Sequence, residues 1–123
     1  MKIAFPTNDG ININPHFGQA THYLFVSFNE AGQELSRNLQ PKPSHAPHGP
    51  NHHHPHAAMF EPLKECAVVI AGGMGQPAYR AITNLNVQLI LTTEQNIEAA
   101  LHAYLHNTLE NIPALVHAPG HHH

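Results

Sequence analysis

Two short stretches bring together groups that can do chemistry. The first is Asn14-Pro15-His16-Phe17-Gly18, where one histidine stands between a proline and a glycine. Pro and Gly punctuate loops, so His16 is expected on a loop between strands. It is either a surface imidazole in a turn hydrogen bond or a lone ligand held out from a rigid loop. The second stretch is Cys66-Ala-Val-Val-Ile-Ala-Gly-Gly-Met-Gly-Gln-Pro-Ala-Tyr-Arg-Ala-Ile82. Its unbroken apolar run predicts a buried strand parallel to a neighbour. Gly72, Gly73 and Gly75 then permit positive φ or the close approach of another group. Pro77 suits the first turn of a helix. A strand, a glycine turn and a helix start together present unpaired N–H groups, a setting that favours an anion. Arg80, one turn into that helix, can add positive charge or stand in solvent.

The glycine turn has several readings. Gly73-Met74-Gly75-Gln76-Pro77-Ala78 matches G-x-G-x-x-[G/A], with Glu94 near the position of a ribose-binding acid. It comes late, however, and too few residues follow to build the rest of a dinucleotide domain. No Lys-Ser or Lys-Thr follows, so it is not a P-loop. The glycines either serve strand–helix packing or cradle a polyanion other than a nucleotide. Cys66 opens the buried strand and reads as packing, or as a soft ligand near the site.

Histidine is over-represented, with 14 residues against 13 charged ones (five Lys and Arg, eight Asp and Glu). His45, His48, His52, His53, His54 and His56 crowd a segment that also holds five prolines. Imidazoles in number bind divalent nickel, zinc or copper. Adjacent side chains such as those of residues 52–54 seldom converge on one ion, and no C-x-x-C or H-E-x-x-H is present. His102 and His106 have the i, i+4 spacing that can chelate an ion, or that simply faces solvent. Asp9 is the only aspartate, so the carboxylate cluster of a two-metal nuclease is missing.

The elements that must position these groups follow from pattern. Residues 2–6, 22–28 and 34–40 read as strands, the last two as a hairpin. Ile11 to Ile13 can extend or restart a strand. The segment 41–56 is a His/Pro-rich loop. A short helix is expected from about Met59, a helix from the glycine turn to about Leu85, and a buried strand at 87–91. Thr92 and Gln95 fit a capping box opening a last helix with Ile97, Leu101, Leu105 and Leu109 as its apolar stripe. From about residue 110 the tail reads as irregular. This predicts one domain over 1–123, with five strands and helices on both faces. The formal charge of −3 and the absence of a basic patch argue against nucleic acid. No apolar run reaches a membrane-spanning length, and no signal peptide is apparent, so a cytoplasmic protein without a membrane partner is expected. The oligomeric state is not legible.

Taken together, Met1-Lys-Ile-Ala-Phe-Pro-Thr-Asn-Asp-Gly10, His16-Phe17-Gly18-Gln-Ala20 and Cys66-Ala-Val-Val-Ile-Ala-Gly-Gly-Met-Gly75 resemble the dinitrogenase iron–molybdenum cofactor biosynthesis family. This is the domain of NifX, NafY and the NifB C-terminal region. The resemblance implies an α/β, ribonuclease H-like fold with a five-stranded mixed sheet flanked by helices. It implies a non-enzymatic carrier of an iron–sulfur or iron–molybdenum type cluster, with a cluster donor or acceptor protein as partner. By position it implies a cofactor site of His16, Phe17, Gly18, Gly72, Gly73, Met74 and Gly75, to which the helix reading adds Arg80. The chain departs from cluster-rich relatives by its single cysteine and its histidine loop. The rival readings are a metal-ion buffer or chaperone acting through that loop, and a hydrolase or nuclease on the same fold.

Overall fold

The computed structural model describes residues 1–43 and 59–117. β1 (Lys2–Thr7) is buried from Ile3 to Thr7, and a strand covered on both faces takes the middle of a sheet. β2 (His22–Phe28) runs antiparallel beside it, with Lys2 opposite Ser27 and Thr7 opposite His22. β3 (Glu34–Pro41) returns antiparallel along β2 as the outermost strand. It extends one residue further than expected because a proline is tolerated at the end of an edge strand. On the other side of β1, β4 (Val68–Ala71) pairs parallel. A two-residue strand, β5 (Met74–Gly75), follows the glycines, and α1 (Gln76–Thr83) leads back to β6 (Gln88–Leu91), parallel to β4. The resulting order, β3-β2-β1-β4-β6, is a five-stranded mixed sheet. With a helix on each face it has the ribonuclease H-like α/β architecture.

Each face carries its own core. On one side Ile82 of α1 joins Phe17, Tyr23, Phe25, Phe60, Leu63 and Val69. On the other, Ile97, Ala100 and Leu101 of α2 (Ile97–Leu105) cover Ile3, Phe5, Val26, Ile70 and Ile90. No helix among the described residues is long and apolar enough to cross a membrane.

Three local expectations are corrected. The capping box is not formed. Thr92 Oγ1 accepts from the Glu94 N–H at 3.0 Å, and Asn96 is the cap of α2, its Oδ1 accepting from the Ala99 N–H at 2.9 Å. Asparagine is as good a cap as threonine, and it lies directly before the first buried residue of the stripe. Leu105 is 40% exposed, because α2 ends there and Asn107 turns the chain at φ 60. The tail is not irregular throughout. It holds a 3-10 turn at Pro113–Leu115 and a strand, β7 (Val116–His117), parallel to β5. Two residues of strand are too short to leave a periodic signal.

Candidate metallocluster site

The parallel strands β1, β4 and β6 all end at one edge of the sheet, and ligands of α/β proteins bind in the crevice beyond such ends. β2 starts and β3 ends at the same edge, since His22 faces both Thr7 and Pro41. The loops carrying His16, Gly72 and Thr92 are therefore neighbours.

His16 is held by what lies on either side of it. Its own N–H donates to Asn14 Oδ1 at 2.8 Å. The Phe17 N–H donates to the Gly73 carbonyl at 2.9 Å. The Phe17 ring is 1% exposed and stacks on Phe60, centroids 5.7 Å apart at 9°. The Phe17 carbonyl accepts from Lys42 Nζ at 2.6 Å, and that ammonium also lies 4.5 Å from the Phe17 ring centroid. Burying one phenylalanine contributes about 1.5–3 kcal/mol, so the loop is pinned while the His16 side chain stays exposed.

Gly72 is the other half of the contact. A Cβ there would stand 2.8 Å from Pro15 Cα and 3.2 Å from the Asn14 carbonyl oxygen. Among the described glycines, positive φ occurs at Gly10 and Gly32, so close approach, not φ, requires glycine at 72. Between these loops lies a pocket of about 260 Å³. Ile13, Pro15, His16, Gly72, the stretch Thr92 to Gln95 and Leu115 from the C-terminal segment line it, and the Ile13 N–H donates to the Gln95 carbonyl at 2.7 Å.

Several expected site residues have other places. Phe17 and Met74 (2% exposed) are core side chains that anchor the loops. Gly18 is exposed, and a methyl placed there would meet nothing within 4 Å. Gly73 offers its carbonyl to Phe17, and Gly75 pairs with His117 of β7. Arg80 is exposed in the last turn of α1 and does not line the pocket. Among the described residues no lysine or arginine lines it, and Glu94 does, so the side chains here do not favour a strong anion. Cys66 sits at the far end of β4 from Gly72. Burial pushes its thiol up to about 11, which leaves it protonated and away from the pocket. His45, His48, His52, His53, His54 and His56 lie outside the described residues.

Sequence reasoning missed the threonine-rich wall, the C-terminal segment and Lys42. The last had no signal beyond its place just past β3. Lys42 is 6% exposed, and burial lowers its amine from 10.5 to about 8. Between those values the unfolded chain binds the extra proton, so stability gains from Lys42 as pH rises above 8. The Cys66 thiol works in the opposite direction above its ordinary value of 9.0, because the unfolded chain loses that proton first. Thermal stability should therefore climb from pH 8 to about 9 and then level or fall. In Lys42→Met the climb should vanish, as melting curves across that range will show.

Comparisons with known proteins agree with this architecture. The model of the family described as dinitrogenase iron-molybdenum cofactor matches residues 1–107. No curated protein matches the sequence. Among solved structures, a Methanocaldococcus jannaschii protein assigned as a dinitrogenase is 12% identical, with a TM-score of 0.67 over 91% of this chain and 94% of its own. The apo form of the orange protein from Desulfovibrio gigas is 14% identical, with a TM-score of 0.68 over 90% and 92%. A Thermotoga protein assigned to NifB is 17% identical, with a TM-score of 0.64 over 89% and 91%. At such identities the structures attest the fold, while the family match spans most of the chain: this protein belongs to the dinitrogenase iron–molybdenum cofactor family.

Proposed function

We propose that the protein is a non-enzymatic carrier of an iron–sulfur or iron–molybdenum type cluster. His16 ligates the cargo at the pocket rim, and a donor or acceptor protein exchanges it. The observation that carries this reading is the Phe17 N–H···Gly73 bond of 2.9 Å, which fixes an exposed imidazole over the ends of the parallel strands. The donor set suits carriage and not assembly. Building a cluster on the protein calls for cysteine thiolates, and the one thiol is remote. A finished cluster brings its own sulfides and needs few protein bonds, here one imidazole at a pocket that Thr92 and Thr93 also line. A pocket of about 260 Å³ is smaller than most enclosed ligand sites, so the cargo would stay partly exposed to an acceptor. The Glu94 carboxylate limits affinity for an anionic cluster, which favours release.

Anaerobic incubation with a synthetic [4Fe–4S] cluster, and separately with isolated iron–molybdenum cofactor, tests this. Stoichiometric iron and sulfide should co-elute with the protein after desalting and pass to an apo-acceptor. Protein that elutes free of iron in both cases sinks the carrier reading.

The metal-buffer reading is kept as a second activity, resting on the six imidazoles between His45 and His56. Replacing the six histidines by serine should abolish most Ni²⁺ binding and leave cluster retention unchanged. A nuclease is not favoured. Asp9 Oδ1 is taken up by the N–H groups of Ile11 and Asn12, each at 2.9 Å, which hold its carboxyl below the usual carboxylate range. Among the described residues no three His, Cys, Asp or Glu side chains group together.

A further inference from the structure

We propose that His102 and His106 form a two-imidazole surface site for a borderline divalent transition cation such as Cu²⁺, Ni²⁺ or Zn²⁺. The site lies on α2, away from the residues of the pocket, and does not depend on the carrier reading. Residues four apart share one face of a helix, and here the two ring centroids are 4.1 Å apart at 30°. Both side chains are exposed.

The tautomer of one ring is fixed by its partner. His106 Nδ1 lies 2.9 Å from the His102 carbonyl oxygen. A carbonyl can only accept, so Nδ1 carries the proton and Nε2 keeps its lone pair. A ring nitrogen bonded to a backbone carbonyl is the usual support of a metal-bound histidine, since it sets the orientation and raises the basicity of the other nitrogen. His106 also ends α2 as its C-cap, where the unpaired carbonyls of a helix favour positive charge. A cation held there gains from the helix as well as from the ligands.

Charge and donor type define what can bind. Glu98, one turn before His102, is the nearest carboxylate on this stripe, but Arg37 donates to both of its oxygens. It is engaged, and water must complete the coordination. Two neutral nitrogens without a free carboxylate suit copper, nickel or zinc and not magnesium or calcium. Chelation, not the mere number of histidines, is the testable content, because the chain carries other imidazoles that also take such ions.

Paramagnetic broadening separates the sites. The full-length ¹⁵N-labelled chain is titrated with Cu²⁺ and amide intensities are followed along α2. Amides of residues 102–107 should broaden in the parent. In His102→Ala or His106→Ala the Cu²⁺ concentration needed should rise about tenfold or more, with broadening elsewhere unchanged. Amide positions outside α2 report that each variant is folded. A rise smaller than tenfold would mean two independent imidazoles and would overturn the proposal. Absence of broadening along α2 in the parent would do the same.

Discussion

His16→Ala is expected to lower cluster affinity at least tenfold, about 1.4 kcal/mol, without unfolding the protein. The two effects separate because the side chain and its loop are held by different groups. The His16 N–H bond to Asn14, the Phe17 N–H bond to Gly73 and the Lys42 bond to Phe17 all involve atoms that alanine leaves in place. Truncating an exposed side chain commonly changes stability by no more than about 0.5 kcal/mol. The loss should therefore appear in iron and sulfide retained after desalting and not in the melting temperature. Retention equal to the parent's would show that His16 is not the ligand. The variant also separates the readings, since ion buffering by the histidine-rich segment should survive it intact.

What holds His16 in place explains why a chain this poor in charged ligands can still offer a site. The loop is fixed by hydrophobic anchorage, with Phe17 between Phe60 and Tyr23, and by a buried lysine on its carbonyl. Nothing in that anchorage needs the cargo. On the proposed carrier reading this anchorage preorganises the loop, which lowers the entropic cost of binding through a single ligand.

The sheet was legible because its strands obey simple periods. The apolar run at 66–71, the segment 87–91 and the aromatic run at 22–28 read as strands, and the glycine–proline pattern marked the start of α1. The meeting of His16 with Gly72 was legible only in part. It required β1 and β4 to be neighbours, a relation fixed by topology and not by local pattern. What each site residue does was less legible. Phe17 and Met74 sit beside polar or glycine residues in sequence, yet the edge of the sheet turns them into the core. The surroundings of the glycine turn were illegible for a related reason. Pairing of β5 with β7 brings the C-terminal segment against the glycine turn, and no short-range signal announces a two-residue strand. Lys42 carries a charged type into a buried place, where composition argues the opposite. Only the arrival of β3 at the site edge puts it beside Phe17.

Gly72→Ala is expected to be far more damaging than a methyl of its size suggests. The added carbon would lie 2.8 Å from Pro15 Cα and 3.2 Å from the Asn14 carbonyl oxygen. Both are backbone atoms, so neither can swing aside as a side chain would. The His16 loop must lift from the strand end, straining the Phe17 N–H bond to Gly73. Overpacking of this kind costs about 1–3 kcal/mol, a fall in melting temperature of roughly 4 °C per kcal/mol for a domain near this size. Cluster retention should fall as well, although His16 is present, because the imidazole no longer stands over the pocket. Gly75→Ala and Gly18→Ala supply the comparison. At 75 the new carbon meets only Pro77 Cδ, at 3.6 Å, and at 18 it meets nothing within 4 Å. Both should melt within about 1 kcal/mol of the parent. If all three variants lose stability alike, close approach of the loop is not what demands glycine at 72. If Gly72→Ala is unstable yet still binds cluster as tightly as the parent, the pocket between the two loops is not where the cargo sits.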